Sequence, residues 1–246
     1  MAACRLPPAD LLFMDPPYNF GISYEAGDKG AGDRLPPAHF LALLRRWLRQ
    51  AAETVRPGGA VWVLLPDEWA ADATVCLYHT HGFPRRGWIK WHETFGAQTR
   101  TKFARTSRHL LYHVRPDGPV TFEADAVKVP SARQTKYRDR RAAAGGKVPG
   151  DVWQFARVCG TFAERAEGFP TQLPEALLER VVKACSRPGE LVREFFAGSG
   201  SLARVCLRLG RRYDGYEANP RFAAMAAARV RALASELAAA DSRPPA

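Results

Sequence analysis

The run "AVWVLL" (Ala60 to Leu65) carries no polar residue. A strand with one wet face alternates apolar and polar side chains, so a continuous apolar strand implies cover on both faces. Its surroundings supply that cover. From His39 to Val55, Phe40, Leu43, Leu44, Trp47, Leu48, Ala51 and Val55 recur at helical spacing, and "RPGG" is expected to stop the helix. Before it, "DLLFMD" reads as a short buried strand ended by proline. After "AVWVLLPD" come a helical stretch and two more strand candidates, "GWIKWH" and "HLLYHVR". The order so far is β, α, β, α, β, β.

From Pro116 to Gly168 the pattern gives way to a polar, basic stretch punctuated by Gly and Pro, with no clear period. It reads as an insertion built for contact. Regular structure resumes with the amphipathic "LPEALLERVVKACSRPG", whose Leu177, Leu178, Val181, Val182 and Cys185 share one side. A strand ("ELVREFFAG"), a helix ("GSLARVCLRLG"), a strand ("RRYDGYEA") and an alanine-rich helix (from Pro220) follow, and "DSRPPA" is expected to fray. Strands alternating with helices of this length predict a single α/β domain over residues 1–246, a doubly wound, mainly parallel sheet with residues 116–168 inserted.

Composition removes several classes of function. The apolar runs are too short to span a bilayer, and no cleavable signal pattern opens the chain. Five scattered cysteines without a CxxC pair, and six histidines without ligand spacing, suggest neither a disulfide framework nor a metal site. A reducing cytoplasm is the expected compartment. The net charge is +11, and Lys90 to Gly150 holds 13 Lys and Arg against 5 Asp and Glu, which accounts for +8 of it. Trp91, Phe95, Phe103, Tyr112, Phe122 and Tyr137 lie within that segment. Cations interleaved with aromatics suit phosphate and base contacts, although a solvated basic face has the same composition.

Two short motifs carry the chemistry. "EFFAGSGS" (Glu194 to Ser201) falls where a strand turns into a helix, where glycines admit a ligand close to the backbone. Glu217, in "YDGYEANP", ends the next strand 19 residues beyond Gly198. That is close to the ~20-residue spacing at which an acid reaches ribose hydroxyls, so the pair points to a cofactor bearing adenosine. Near the start of the chain, "DPPY" (Asp15 to Tyr18) places two residues without N–H donors between a carboxylate and an aromatic ring. Taken alone, it is equally a rigid turn after a strand.

Together, "DPPY", "FAGSG", the acid of "GYEANP" and "DVWQF…GFPTQLPEALLERVV" resemble the motifs of amino-group DNA methyltransferases that use S-adenosylmethionine. Their order, with DPPY first, a basic segment next and the Gly-rich motif last, resembles the β-class, circularly permuted arrangement. The resemblance implies a Rossmann-like class I methyltransferase fold; with only "MAACRLPPA" before the strand that leads into DPPY, the expectation is either a fold lacking an N-terminal strand or a reading frame that starts further upstream. It implies that Asp15 and the Pro16 carbonyl hold the two amino hydrogens, with Pro17 stiffening the turn and Tyr18 stacking on a base rotated out of the duplex. It assigns Phe196, Ala197, Gly198, Ser199 and Gly200 to the cofactor pocket, Thr171 and Gln172 to the methionine moiety, and Glu217 to the ribose.

The same resemblance makes the basic segment a target-recognition region for double-stranded DNA, with Lys102, Arg105, Arg133, Lys136, Arg138, Arg140 and Arg141 as candidate contacts. A place in a restriction–modification system and a homodimer are further implications. No metal and no covalent nucleophile are expected; none of the cysteines follows a proline, which argues against C5-cytosine chemistry. The DPPY spelling favours adenine N6 as the target. Cytosine N4, a DNA-binding remnant without turnover, and an RNA or protein methyltransferase are the alternatives.

Overall fold

The computed structural model describes residues 6–22, 33–93, 99–141 and 143–241; "MAACR", Phe95 and residues 242–246 of the tail lie outside them. Strand β1 (Ala9–Met14) leads to helix α1 (Pro37–Glu53), β2 (Val55–Leu65) and α2 (Asp67–Val75), which widens into a π turn at Cys76–Thr80. Then come β3 (Arg85–His92), β4 (Ser107–Val114), the short helix α3 (Ala132–Thr135) and β5 (Val152–Gln154). The chain closes with α4 (Glu175–Cys185), β6 (Leu191–Phe195), α5 (Ser201–Arg208), β7 (Arg212–Tyr216) and α6 (Pro220–Asp241). The strands form one sheet in the order β5-β3-β4-β2-β1-β6-β7. Within it β4 alone runs against the others, so the sheet is mainly parallel, as the sequence predicts.

The pleat explains the continuous apolar runs Leu11–Met14 of β1 and Ala60–Leu65 of β2. Leu11 and Phe13 of β1 point into a layer with Leu177, Leu178, Val181 and Val182 of α4 and Leu202 and Val205 of α5. Leu12 and Met14 point the opposite way, onto Phe40, Leu44, Leu48 and Ala51 of α1 and Ala70 and Ala73 of α2. Successive strand residues face opposite sides, so helices on both faces cover both sets of side chains along these runs. Helix α1 starts with proline at its first positions, where a missing N–H goes unmissed. Its buried residues, spaced three and four apart, make the stripe that seals one face. No helix among the described residues is long and apolar enough to cross a membrane.

Two local expectations change. Helix α1 ends at Glu53, and "RPGG" is strand rather than stop: β2 already begins at Val55. Its backbone there finds partners beyond β4, with Gly58 N donating to the Arg115 carbonyl (2.9 Å) and Arg115 N to that of Gly59 (2.9 Å). The segment 116–168 is not uniformly irregular. It contributes β5, which pairs with β3 in parallel from Lys90↔Val152 to His92↔Gln154 and brings Trp153 into the core against Trp62.

Candidate active site

From β1 the chain moves to β2 on one side, whereas from β6 it moves to β7 on the other. Strands β1 and β6 are neighbours, so the direction of winding reverses between them, and their carboxyl ends open a crevice. Phe13 pairs with Glu194 and Met14 with Phe195, which brings Asp15 and Phe196 out of the sheet side by side. The DPPY turn and the Gly-rich turn, far apart in sequence, become adjacent because two parallel strands share a register.

A cleft of about 1500 Å³ lies over these ends. It is lined by Asp15, Pro16, Pro17, Tyr18, Thr171, Gln172, Phe196, Ala197, Gly198, Ser199 and Glu217. Gly200 is buried behind the wall as the cap of α5. Of the seven candidate DNA contacts none lines the cleft.

The DPPY turn is held from outside. The Asp33 carboxylate accepts from the amides of Asn19 (2.8 Å), Gly21 (2.5 Å) and Ile22 (2.8 Å), while the Asn19 side chain exchanges hydrogen bonds with Leu35. Asn19 takes a left-handed conformation (φ 66°), the conformation Asn tolerates better than most residues. Trp69 Nε1 donates to the Tyr18 carbonyl at 3.0 Å. Within the turn, Tyr18 Oη donates to Asp15 Oδ1 at 2.5 Å. Burial pushes the Asp15 carboxyl up to about 6, against the pull of the Tyr18 hydroxyl and Arg108; Glu93 adds to the rise.

Tyr18 is only 7% exposed, and the Arg108 guanidinium lies 4.8 Å from its ring centroid. Arg108 Nε in turn donates to Glu93 Oε1 at 2.9 Å. Both residues line the cleft, and neither belongs to a sequence motif. The available signal is an acid and a base at the adjoining ends of two consecutive strand candidates, where a hairpin brings them together.

The second turn carries three positive φ values: Phe196 (70°), Gly198 (54°) and Gly200 (75°). A Cβ on Gly198 would stand 2.6 Å from the Phe169 ring, and one on Gly200 2.8 Å from the Ala226 Cβ. Glu217 accepts the Gly198 amide (2.8 Å) with one carboxylate oxygen and the Asn219 amide (2.8 Å) with the other. Each carboxylate oxygen has a second lone pair, so Glu217 keeps acceptor capacity at the cleft wall. Glu194 is buried beneath and takes the Tyr213 hydroxyl at 2.7 Å; burial, reinforced by Asp15 and Glu217, raises its pKa well above the usual carboxylate range. Gln172 spends its side-chain amide within the chain, accepting from Ala166 N and donating to the Glu164 carbonyl, both at 2.6 Å.

The candidate DNA contacts lie outside the cleft, and several are already paired. Arg105 reaches Asp67 (3.2 Å) and Glu68, over the Phe20 ring. Arg133 and Arg141 both bind Asp139, at 2.6 and 3.1 Å. Lys136 lies against the exposed Tyr137 ring at 5.6 Å. Lys102, Arg138 and Arg140 are exposed.

Comparison with known proteins agrees with this geometry. The model of the DNA methylase family N6_N4_Mtase matches residues 9–228. Type II methyltransferase M.HpaI of Haemophilus parainfluenzae is 31% identical over 221 residues, covering 90% of this chain and 68% of that protein. DNA adenine methyltransferase YhdJ of Escherichia coli K12 is 28% identical over 229 residues, 90% of this chain and 76% of that one. In fold, the chain is similar to the M1.HpyAVI–SAM complex, with a TM-score of 0.61, 18% identity and coverage of 91% and 90% of the two chains. The chain therefore belongs to the N6/N4 DNA methylase family.

Proposed function

We propose that the protein transfers a methyl group from S-adenosylmethionine to the N6 amine of adenine at a specific site in double-stranded DNA. One observation carries this: the DPPY turn and the Gly-rich turn open into the same cleft from adjacent parallel strands. The cleft wall formed by Phe196, Ala197, Gly198 and Ser199, and the acceptor capacity left on Glu217, fit a nucleoside-bearing cofactor at the end of β6. Phe196, Ala197, Gly198 and Ser199 would line it, Glu217 would take the ribose hydroxyls, and Thr171 and Gln172 would stand by the methionine end. When bound, S-adenosylmethionine supplies an electrophilic methylsulfonium.

The chain's own residues then act on the acceptor. An exocyclic amine delocalises its nitrogen lone pair into the ring and attacks poorly. Asp15 and the Pro16 carbonyl accept its two hydrogens, draw the nitrogen toward tetrahedral geometry and aim the lone pair. As the N–C bond forms, the nitrogen releases one proton, and the Asp15 carboxylate lies where it can accept it. Tyr18 supplies the stacking surface for a base rotated out of the helix. Its hydroxyl occupies an Asp15 oxygen in this structure, so binding of the amine exchanges one hydrogen bond for another. The basic residues of the inserted segment and of the β3–β4 connection bind DNA phosphates.

Adenine is favoured over cytosine by the DPPY spelling and by the adenine activity named for the YhdJ relative. Nucleoside analysis of DNA treated with the protein and cofactor tests the assignment: N6-methyladenine is expected. N4-methylcytosine without it would reassign the base, and methyl transfer confined to RNA or protein would overturn the substrate.

A further inference from the structure

Four side chains in the lining of the cleft form a continuous line that ends at the DPPY turn. Glu93, just past β3, holds Arg108 at the start of β4; Arg108 lies on the Tyr18 ring; Tyr18 donates to Asp15. We propose that Arg108, clamped by Glu93, is a positioning residue for methyl transfer, holding the Tyr18 ring and, through it, the Asp15 carboxylate where the target amine is received. The proposal rests on the reading of Asp15 and Tyr18 given above.

Three observations support it. First, the clamp is well shielded: the Glu93 side chain is 8% exposed and that of Arg108 21%. A charge pair removed from water is held firmly, because loss of either partner strands the other. Arg108 is therefore a fixed support rather than an arm free to follow a phosphate. Second, a flat guanidinium on an aromatic face constrains the ring's tilt as well as its distance, which a Lys ammonium does not. Third, Arg108 is the cation facing Asp15 in a group that is otherwise acidic. Besides Tyr18 of its own turn, Asp15 is faced by Glu93 beyond β3, which disfavours its ionised form, by Arg108 of β4, which favours it, and by Glu194 of β6, whose own pKa burial and Asp15 raise.

The test compares wild type with Arg108→Met, Arg108→Lys, Glu93→Gln and the Arg108→Met/Glu93→Gln double variant. The probe is unmethylated bacteriophage DNA with tritiated S-adenosylmethionine; kcat, KM for DNA, cofactor affinity and the pH dependence of kcat are measured. Arg108→Met is expected to lower kcat by about 10- to 100-fold, the scale of a small misplacement of reacting groups. Cofactor affinity and KM for DNA should stay within about threefold, and the acid limb of the pH profile should move to higher pH.

Arg108→Lys should keep the acid limb near its wild-type position yet still lose about tenfold in kcat. The double variant should fall no further than Arg108→Met, because Glu93 acts through Arg108. An Arg108→Met protein with wild-type kcat and pH profile would overturn the proposal. So would a change confined to KM for DNA, which would make Arg108 a phosphate contact, or losses that multiply in the double variant. If Arg108→Met melts early, Arg108→Lys and Glu93→Gln at wild-type melting temperature decide the same question. An inactive wild type removes the reading of Asp15 and Tyr18 together with this proposal; an active wild type with an unaffected Arg108→Met removes this proposal alone.

Discussion

Tyr18 Oη donates a 2.5 Å hydrogen bond to Asp15 Oδ1 across a turn that two prolines keep stiff. On the function proposed above, the acceptor for the substrate amine is thus occupied by the residue that stacks on the substrate base. Asp15→Ala is expected to reduce transfer by about 100- to 1000-fold or more, the scale seen when a preorganised polar contact to the reacting centre is lost. Cofactor affinity measured by calorimetry should be nearly unchanged, since the Gly-rich turn is built on β6. Retained turnover would make the turn a structural feature only.

The pH dependence follows from the same carboxyl. Burial raises Asp15 from 3.8 to about 6, and the ionised form is the acceptor, so kcat should fall as pH drops through about 6. Tyr18→Phe removes a hydrogen bond that favours the charged form, so the midpoint should move to higher pH. A midpoint unchanged in Tyr18→Phe would count against Asp15 as the titrating group.

Stability should respond with the opposite sign to activity. The folded chain binds the Asp15 proton more tightly than the unfolded chain does, so this residue's contribution is fully present below about 3.8 and lost as pH rises through about 6. At neutral pH the charged carboxylate therefore costs on the order of 1–3 kcal/mol. Asp15→Asn should raise the melting temperature at pH 7–8, and the gain should shrink toward pH 4. A gain that is constant with pH would place the effect in packing instead.

Gly198 combines a φ of 54° with a Cβ position 2.6 Å from the Phe169 ring. Gly198→Ala should destabilise the fold by about 1–3 kcal/mol through backbone strain and displacement of the ring. Cofactor affinity should fall with it. Adding Phe169→Leu should recover part of the melting temperature, because it removes the collision but not the strain; no recovery would assign the whole loss to φ.

Salt dependence separates a DNA-binding surface from a solvated basic face. Lys102, Arg138 and Arg140 are exposed, whereas Arg133 and Arg141 share Asp139. Replacing Lys102, Arg138 and Arg140 singly by Gln should each lower the slope of log K against log salt by about 0.9 if the residue meets a phosphate. Arg133→Gln should change the slope less, since a competing carboxylate already holds that guanidinium. Equal, flat responses for all four would mean that this surface does not meet DNA.

Local pattern alone determines a good part of this protein. Apolar continuity in "AVWVLL" calls for two covering layers, the spacing of Phe40, Leu44 and Leu48 makes α1, and the strand–glycine–helix run from Leu191 forms β6, its turn and α5. Each of these depends on residues within a few positions of one another, where periodicity and backbone stiffness act. Tertiary structure decides the remainder, because it depends on partners far along the chain. "RPGG" becomes strand only because Arg115 supplies its backbone with partners, and Val152–Gln154 becomes strand only because the edge of β3 is open to it. Asp15 meets the Gly-rich turn through the β1–β6 register. Arg108 leaves the pool of basic residues for the cleft because Glu93 and the Tyr18 ring lie there to receive it. Charge in a sequence is a count; whether it meets solvent, a carboxylate or an aromatic ring is settled when distant strands pair.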